Sequence, residues 1–142
     1  MNQFTPAAAT VEALGPEDLV RAFIADYESW NKFAYQVSSQ GPGGGLAAAE
    51  SAYVALLRVF CPPHHQHQPI AFGSDSNHDS ARETIVSAEF AADSCVVKTR
   101  HTKTGGRLTI AQDYEYHLKK MGQRWFLTSI LYVVADGKYE GL

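Results

Sequence analysis

Apolar residues recur at helical spacing in the first half of the chain and at alternate positions in the second. Through LVRAFIADYESWNKFAYQV, Leu19, Phe23, Tyr27, Trp30 and Ala34 return every three or four residues, which predicts a helix whose aromatic stripe packs in the core. Pro16 stands at the first helical position, with Glu17 and Asp18 in the first turn. A preset φ and negative charge at the positive end of the helix dipole together mark a start. SSQGPGGG breaks the pattern and predicts a flexible connection. A second helix is predicted through LAAAESAYVALLRVF, burying Ala49, Tyr53, Leu56, Leu57 and Phe60. CPP ends it, because proline has no amide hydrogen and restricts the residue before it.

From Thr84 the period becomes two. Val86, Ala88 and Phe90 are predicted on one face of a first strand, and Cys95, Val97 and Thr99 on one face of a second. Across the turn TGG, the strand RLTIAQDYEYHL puts Leu108, Ile110, Tyr114, Tyr116 and Leu118 together. Asp113 and Glu115 then lie on the opposite face with Thr109 and His117. After KKMGQ, RWFLTSILYVV is apolar on both faces and predicts a central, covered strand. DGKYEGL holds a turn and a short extended piece, whereas residues 1–14 are Ala-rich, weakly patterned and predicted to be a frayed arm.

Helices followed by a meander of long antiparallel strands predict an α+β fold in a single domain, residues 1–142. A strongly twisted sheet curled around two helices leaves a cone-shaped hollow, the layout of the NTF2-like, or cystatin-like cone, fold. Two Trp, seven Tyr and seven Phe need a shared interior or a pocket, so disorder is not expected beyond the ends. A net charge of -3, with only Lys119 and Lys120 adjacent at a hairpin tip, argues against nucleic-acid binding. Cys61 and Cys95 are too few for a disulfide framework and fit buried positions. No basic segment leads into an apolar one at the N-terminus, and no apolar run reaches the ~20 residues that a membrane span requires. A cytoplasmic protein with no membrane association is the expectation.

Several constellations carry candidate chemistry. His64, His65 and His67, with His78 nearby, are metal-ligand types, but neighbours in an extended segment point apart, so only His65 and His67 share a side. A solvated histidine loop is expected, with no metal. Acid–base catalysis in a cone pocket would use a buried acid beside tyrosines, and Asp26 on the first helix is a possible pocket acid. Ser74, Ser76 and Ser80 lie near His78, but no G-x-S-x-G elbow follows a strand, and GPGGG lacks the Lys-Ser/Thr of a phosphate loop. No catalytic residue and no cofactor is therefore assigned.

The densest polar stretch is PIAFGSDSNHDSARET, residues 69–84. Ser80 and Glu83 match a capping box, and Asp75 and Asp79 can close Asx turns, so a well-capped connector is one reading. The other is a partner-binding patch formed by Asp75, His78, Asp79, Arg82 and Glu83, joined by Asp113 and Glu115.

The segments LVRAFIADYESWN, YVALLRVFCPP, QPIAFGSDSNHD and YEYHLKKMGQRWFLTSILYVVADGKYEGL occur in this order. Together they resemble the NTF2-fold immunity proteins of bacterial polymorphic-toxin systems, over residues 17–142. AFGSDSNHD and WFLT…YVVADGKYE are the most specific parts. The resemblance implies a cytoplasmic antitoxin that binds a cognate toxin domain, carried by an Rhs, contact-dependent or type VI secretion effector, and blocks it without catalysis. It carries over no binding residue, and it leaves open a homodimer. A small-molecule binder or an isomerase- or dehydratase-type enzyme is the alternative, which a deep pocket with a buried acid beside a tyrosine would favour.

Overall fold

The computed structural model describes residues 4–6, 10–39 and 45–142. Two helices, α1 (Pro16–Ser38) and α2 (Gly45–Phe60), precede five strands: β1 (Glu83–Ala91), β2 (Ser94–Gly105), β3 (Leu108–Met121), β4 (Arg124–Val134) and β5 (Gly137–Glu140). The strands form one antiparallel sheet in the order β1-β2-β3-β4-β5, so each pairs only with its sequence neighbours. The helices pack on its concave face. This is the predicted α+β order of elements.

Leu19, Phe23, Tyr27, Trp30 and Ala34 are all buried, as the helical period requires. Trp30 Nε1 donates to the Ala49 carbonyl at 2.9 Å and fixes α1 against α2. Ala49 and Ala52 are buried too, and such short side chains let the two helices approach closely. Phe23, Phe60, Leu56, Tyr116, Leu118 and Leu127 complete the core between the layers. The β2–β3 and β3–β4 turns place Gly106 and Gly122 at φ +61° and +64°, where a side chain is disfavoured.

Two bulges bend the sheet, one at Ile85/Ser87 in the β1–β2 pairing and one at His117/Leu118 in the β3–β4 pairing. The first corrects the predicted face of β1. Ile85 opposes Thr99 and Ala88 opposes Val97, so these two share a side, while Val86 falls in the bulge and is 62% exposed. β4 also departs from expectation, because it is next to the edge, with β5 covering only Leu131–Val134. Its second face is half-buried, and the central, covered strand is β3.

The N-terminal arm is more ordered than its composition predicts. A 3-10 turn at Val11–Ala13 buries Val11, and Phe4 meets Phe33 with ring centroids 6.2 Å apart. Residues 1–3 and 7–9 of that arm, and residues 40–44 of the predicted flexible connection, lie outside the described residues. Cys61 and Cys95 are buried free thiols, and burial pushes the Cys61 thiol up to about 12. No helix among the described residues is long and apolar enough to cross a membrane.

Candidate functional site

Residues 69–82 run beside the middle of α1 and are held there at several points. Asn31 grips Gly73 twice, donating to its carbonyl at 2.9 Å and accepting from its amide at 3.2 Å. Tyr27 donates to the Ala71 carbonyl (3.3 Å), and Tyr114 to the Asn77 carbonyl (3.2 Å). The Ser80 amide donates to Glu28 Oε1 (3.2 Å). The segment ends in a turn in which Arg82 N–H donates to Asp79 Oδ1 at 2.8 Å, so Asp79 closes the expected Asx turn. Ser80 and Glu83 make no capping box, because Glu83 opens β1 and turns inward. Asp75 closes no turn either and pairs with cations instead.

Beneath the segment lies a closed polar cluster. His78 Nδ1 and Glu83 Oε1 are 2.9 Å apart, while Thr99 and Tyr116 both donate to Glu83 Oε2, at 2.5 and 2.6 Å. Two donors on one oxygen make Glu83 the acceptor of the cluster, so His78 Nδ1 carries the hydrogen directed at Oε1. Tyr116 lies 2.8 Å from the same nitrogen. Burial and the neighbouring Glu83 carboxylate hold the Tyr116 phenol well above its ordinary value, so it stays a donor. A second buried pair follows, in which His101 Nε2 donates to Asp79 Oδ2 at 3.0 Å.

The residues predicted as a binding patch therefore divide. Asp75, Arg82 and Asp113 reach the surface, whereas His78, Asp79, Glu83 and Glu115 are buried. Only the first three can be reached from outside, and the buried ones hold the loop and sheet that carry them. The exposed part carries both signs of charge. Asp75 pairs with Lys103 and Arg82, and Arg100 donates to Asp113 at 2.8 Å. Glu115 meets Lys138 (2.7 Å) and His117 (3.1 Å) on the outer face, where alternation put it. The Lys103 ammonium holds the Asp75 carboxyl below its ordinary value, and Arg100 does the same for Asp113. Burial pushes the Glu115 carboxyl up, but hydrogen bonds from Lys138 and His117 prevail and leave it lowered. Lys103, His101 and Arg100 escaped the sequence reading. The signal was parity, since His101 and Lys103 continue the inward face of Cys95, Val97 and Thr99.

β2 and β3 extend past the rest of the sheet. Pairing with β1 begins at Glu83–His101 and pairing with β4 at Asp113–Val133, so beyond them the ladder of Lys103–Gly105 with Leu108–Ile110 has no third strand beside it among the described residues. Leu108 and Ile110 on this arm are 70% and 64% exposed. They share the inward face of the sheet with Tyr132, Val134 and Tyr139, which are also exposed, and Tyr132 stacks on Tyr139 at 5.6 Å.

Between that face and the helices is a cavity of about 420 Å³. Tyr27, Tyr53, His78 and Ile130 form its buried end, and Gln68, Tyr132 and Glu140 stand at its exposed end. Burial raises the Tyr27 phenol to about 12 and pushes those of Tyr53 and Tyr114 higher still, so the walls carry no phenolate. The buried acid beside a tyrosine is Glu83, behind His78 and outside the cavity lining.

The other candidates do not converge on a reacting centre. Asp26 is buried in α1 and does not line the cavity. Ser76 Oγ donates to the His78 carbonyl (2.6 Å) and not to its ring. His64 is exposed, while His65 and His67 are half-buried, with His67 against Tyr53 (5.6 Å). Among the described residues no group of His, Cys, Asp and Glu is disposed to hold a metal. Comparisons with protein-family models, curated proteins and solved structures returned no match.

Proposed function

We propose that this chain is an immunity protein of NTF2-like fold, which neutralises a cognate toxin domain by stoichiometric binding and performs no chemistry itself. The observation that carries the reading is the projecting β2–β3 arm with its exposed Leu108 and Ile110. Exposed apolar side chains bordered by charges are the composition of a protein-binding surface, with an apolar centre and a polar rim. The rim here is Asp75, Arg82 and Lys103. A rigid loop beneath it favours recognition with little ordering cost. The sequence resemblance points to the same class of partner, a toxin domain of a secreted effector, met in the cytoplasm.

The test is co-expression with the toxin domain encoded beside this chain. The wild-type chain rescues growth, and a purified 1:1 mixture elutes as one species. Leu108→Asp combined with Ile110→Asp abolishes rescue and co-elution while leaving the thermal unfolding curve in place, because both side chains already face water. Rescue at strongly substoichiometric levels indicates an enzyme instead, and full rescue by the double variant moves the docking surface elsewhere.

A further inference from the structure

The cavity lies deeper than the proposed docking arm and has a chemistry of its own. At about 420 Å³ it falls within the roughly 300–1,000 Å³ of small-molecule sites. Four tyrosines, Tyr27, Tyr53, Tyr114 and Tyr132, stand in its walls with Ile70 and Ile130, beside the polar Gln68 and Asn77. The one acid in the lining, Glu140, is already committed. Its Oε1 accepts from Ser129 Oγ, and its Oε2 accepts from the amides of Ile130 (3.1 Å) and Leu142 (3.0 Å). Its hydrogen-bonding positions are thus taken by the chain itself. The Gln112 amide nitrogen is occupied too, donating to the carbonyls of Asp113 and Val133.

At the buried end, His78 is fixed on three sides. Tyr27 meets its ring edge-on at 4.7 Å, Tyr114 covers it at 4.4 Å, and Glu83 holds Nδ1. With the hydrogen on Nδ1, Nε2 is left with its lone pair and accepts. No hydrogen bond to Nε2 is made among the described residues, although the side chain is only 7% exposed. Nε2 is open to the cavity, where a bound molecule can donate to it.

We propose that this cavity binds a small, flat, uncharged aromatic molecule bearing one O–H or N–H, which lies between the tyrosine rings and donates to His78 Nε2. The Glu83–Tyr116–Thr99 cluster acts behind His78 as a positioning group that fixes the accepting tautomer. This site is independent of the docking reading, since none of its buried residues belongs to the arm.

Calorimetric titration of the full chain with 2-naphthol, and separately with 2-methoxynaphthalene, tests it. The two probes share shape and apolar surface, but only the first donates. Saturable 1:1 binding of 2-naphthol, at least ten-fold tighter than the methyl ether, is expected. His78→Phe should erase that difference. Equal affinity for the two probes, or no saturable binding of 2-naphthol to the wild-type chain, overturns the proposal. The probe comparison needs no variant, so it holds even if His78→Phe folds poorly.

Discussion

Glu83 lies behind His78 with its Oε1 2.9 Å from the ring Nδ1, and no part of the Glu83 side chain reaches solvent. The pair joins the last residues of the polar loop to the first residue of β1, and Tyr116 and Thr99 join it to the middle of the sheet.

Removing Glu83 strands three donors in the interior. Glu83→Ala should cost about 3 kcal/mol or more, since each buried donor left without an acceptor costs about 1–3 kcal/mol. Tyr116→Phe, which removes a single hydrogen bond and leaves the carboxylate partly satisfied, should cost about 1–3 kcal/mol. Urea unfolding midpoints give both values, and a Glu83→Ala protein as stable as wild type would show that the cluster contributes nothing to the fold.

Asp75 and Asp79 are four residues apart, but the structure assigns them opposite sensitivities. Asp79 is buried, closes the turn to Arg82 and accepts from His101, so Asp79→Lys should lower the melting temperature markedly. Asp75 is at the surface, so Asp75→Lys should leave the unfolding curve unchanged while weakening toxin binding at least ten-fold through its contact with the charged rim. Calorimetry and surface binding on the same two variants separate the effects.

Asp113 and Glu115 should make the fold sensitive to acid. Arg100 lowers the folded-state Asp113 carboxyl below its ordinary 3.8, and Lys138 with His117 outweigh burial to lower Glu115 below 4.5. A folded value below the unfolded one means stability that is complete above those ordinary values and is lost as pH falls through the folded ones. Glu115→Gln should therefore narrow the difference between urea midpoints at about pH 6 and about pH 3. An unchanged difference would show that the outer-face contacts of Glu115 are not formed in solution.

The histidine loop should behave as a connector. Chelator should leave the melting temperature unchanged, and His64→Ala, with its side chain in solvent, should be within about 0.5 kcal/mol of wild type. His65→Ala should be equally tolerated, since its buried Nε2 has no partner to lose among the described residues. Stoichiometric zinc retained through purification would reverse this reading.

The elements were legible because their signals are local. Pro16 and CPP bound the helices, and the two-residue alternation in DYEYHL placed Tyr114 and Tyr116 opposite Asp113 and Glu115 without reference to any partner. Where a residue's role depends on distant neighbours, the sequence reading failed. His78 is covered by Tyr27 and Tyr114, which come from α1 and β3, and nothing in SNHD records that. Glu83 left a faint trace, since it shares parity with Ile85 on the inward face, but a lone acid at a strand start reads first as exposed. The Ile85/Ser87 bulge has no glycine or proline to announce it, so the face of Val86 was misassigned. β4 seemed central because both its faces are apolar, yet strand order depends on which turns are tight and not on apolarity.

The unbroken order of the sheet also governs how the chain reaches its fold. With every strand hydrogen-bonded only to its sequence neighbours, each pairing closes a short loop, and no strand must wait for a distant one to arrive. Loop-closure entropy is small for such steps, so the sheet is assembled from nearby contacts, with low contact order for a β-rich chain. The large closures are those that bring α1 onto β3, and the Phe23–Tyr116 and Tyr27–His78 ring contacts are made only then. Completing the cavity walls therefore depends on those long closures and not on strand pairing alone.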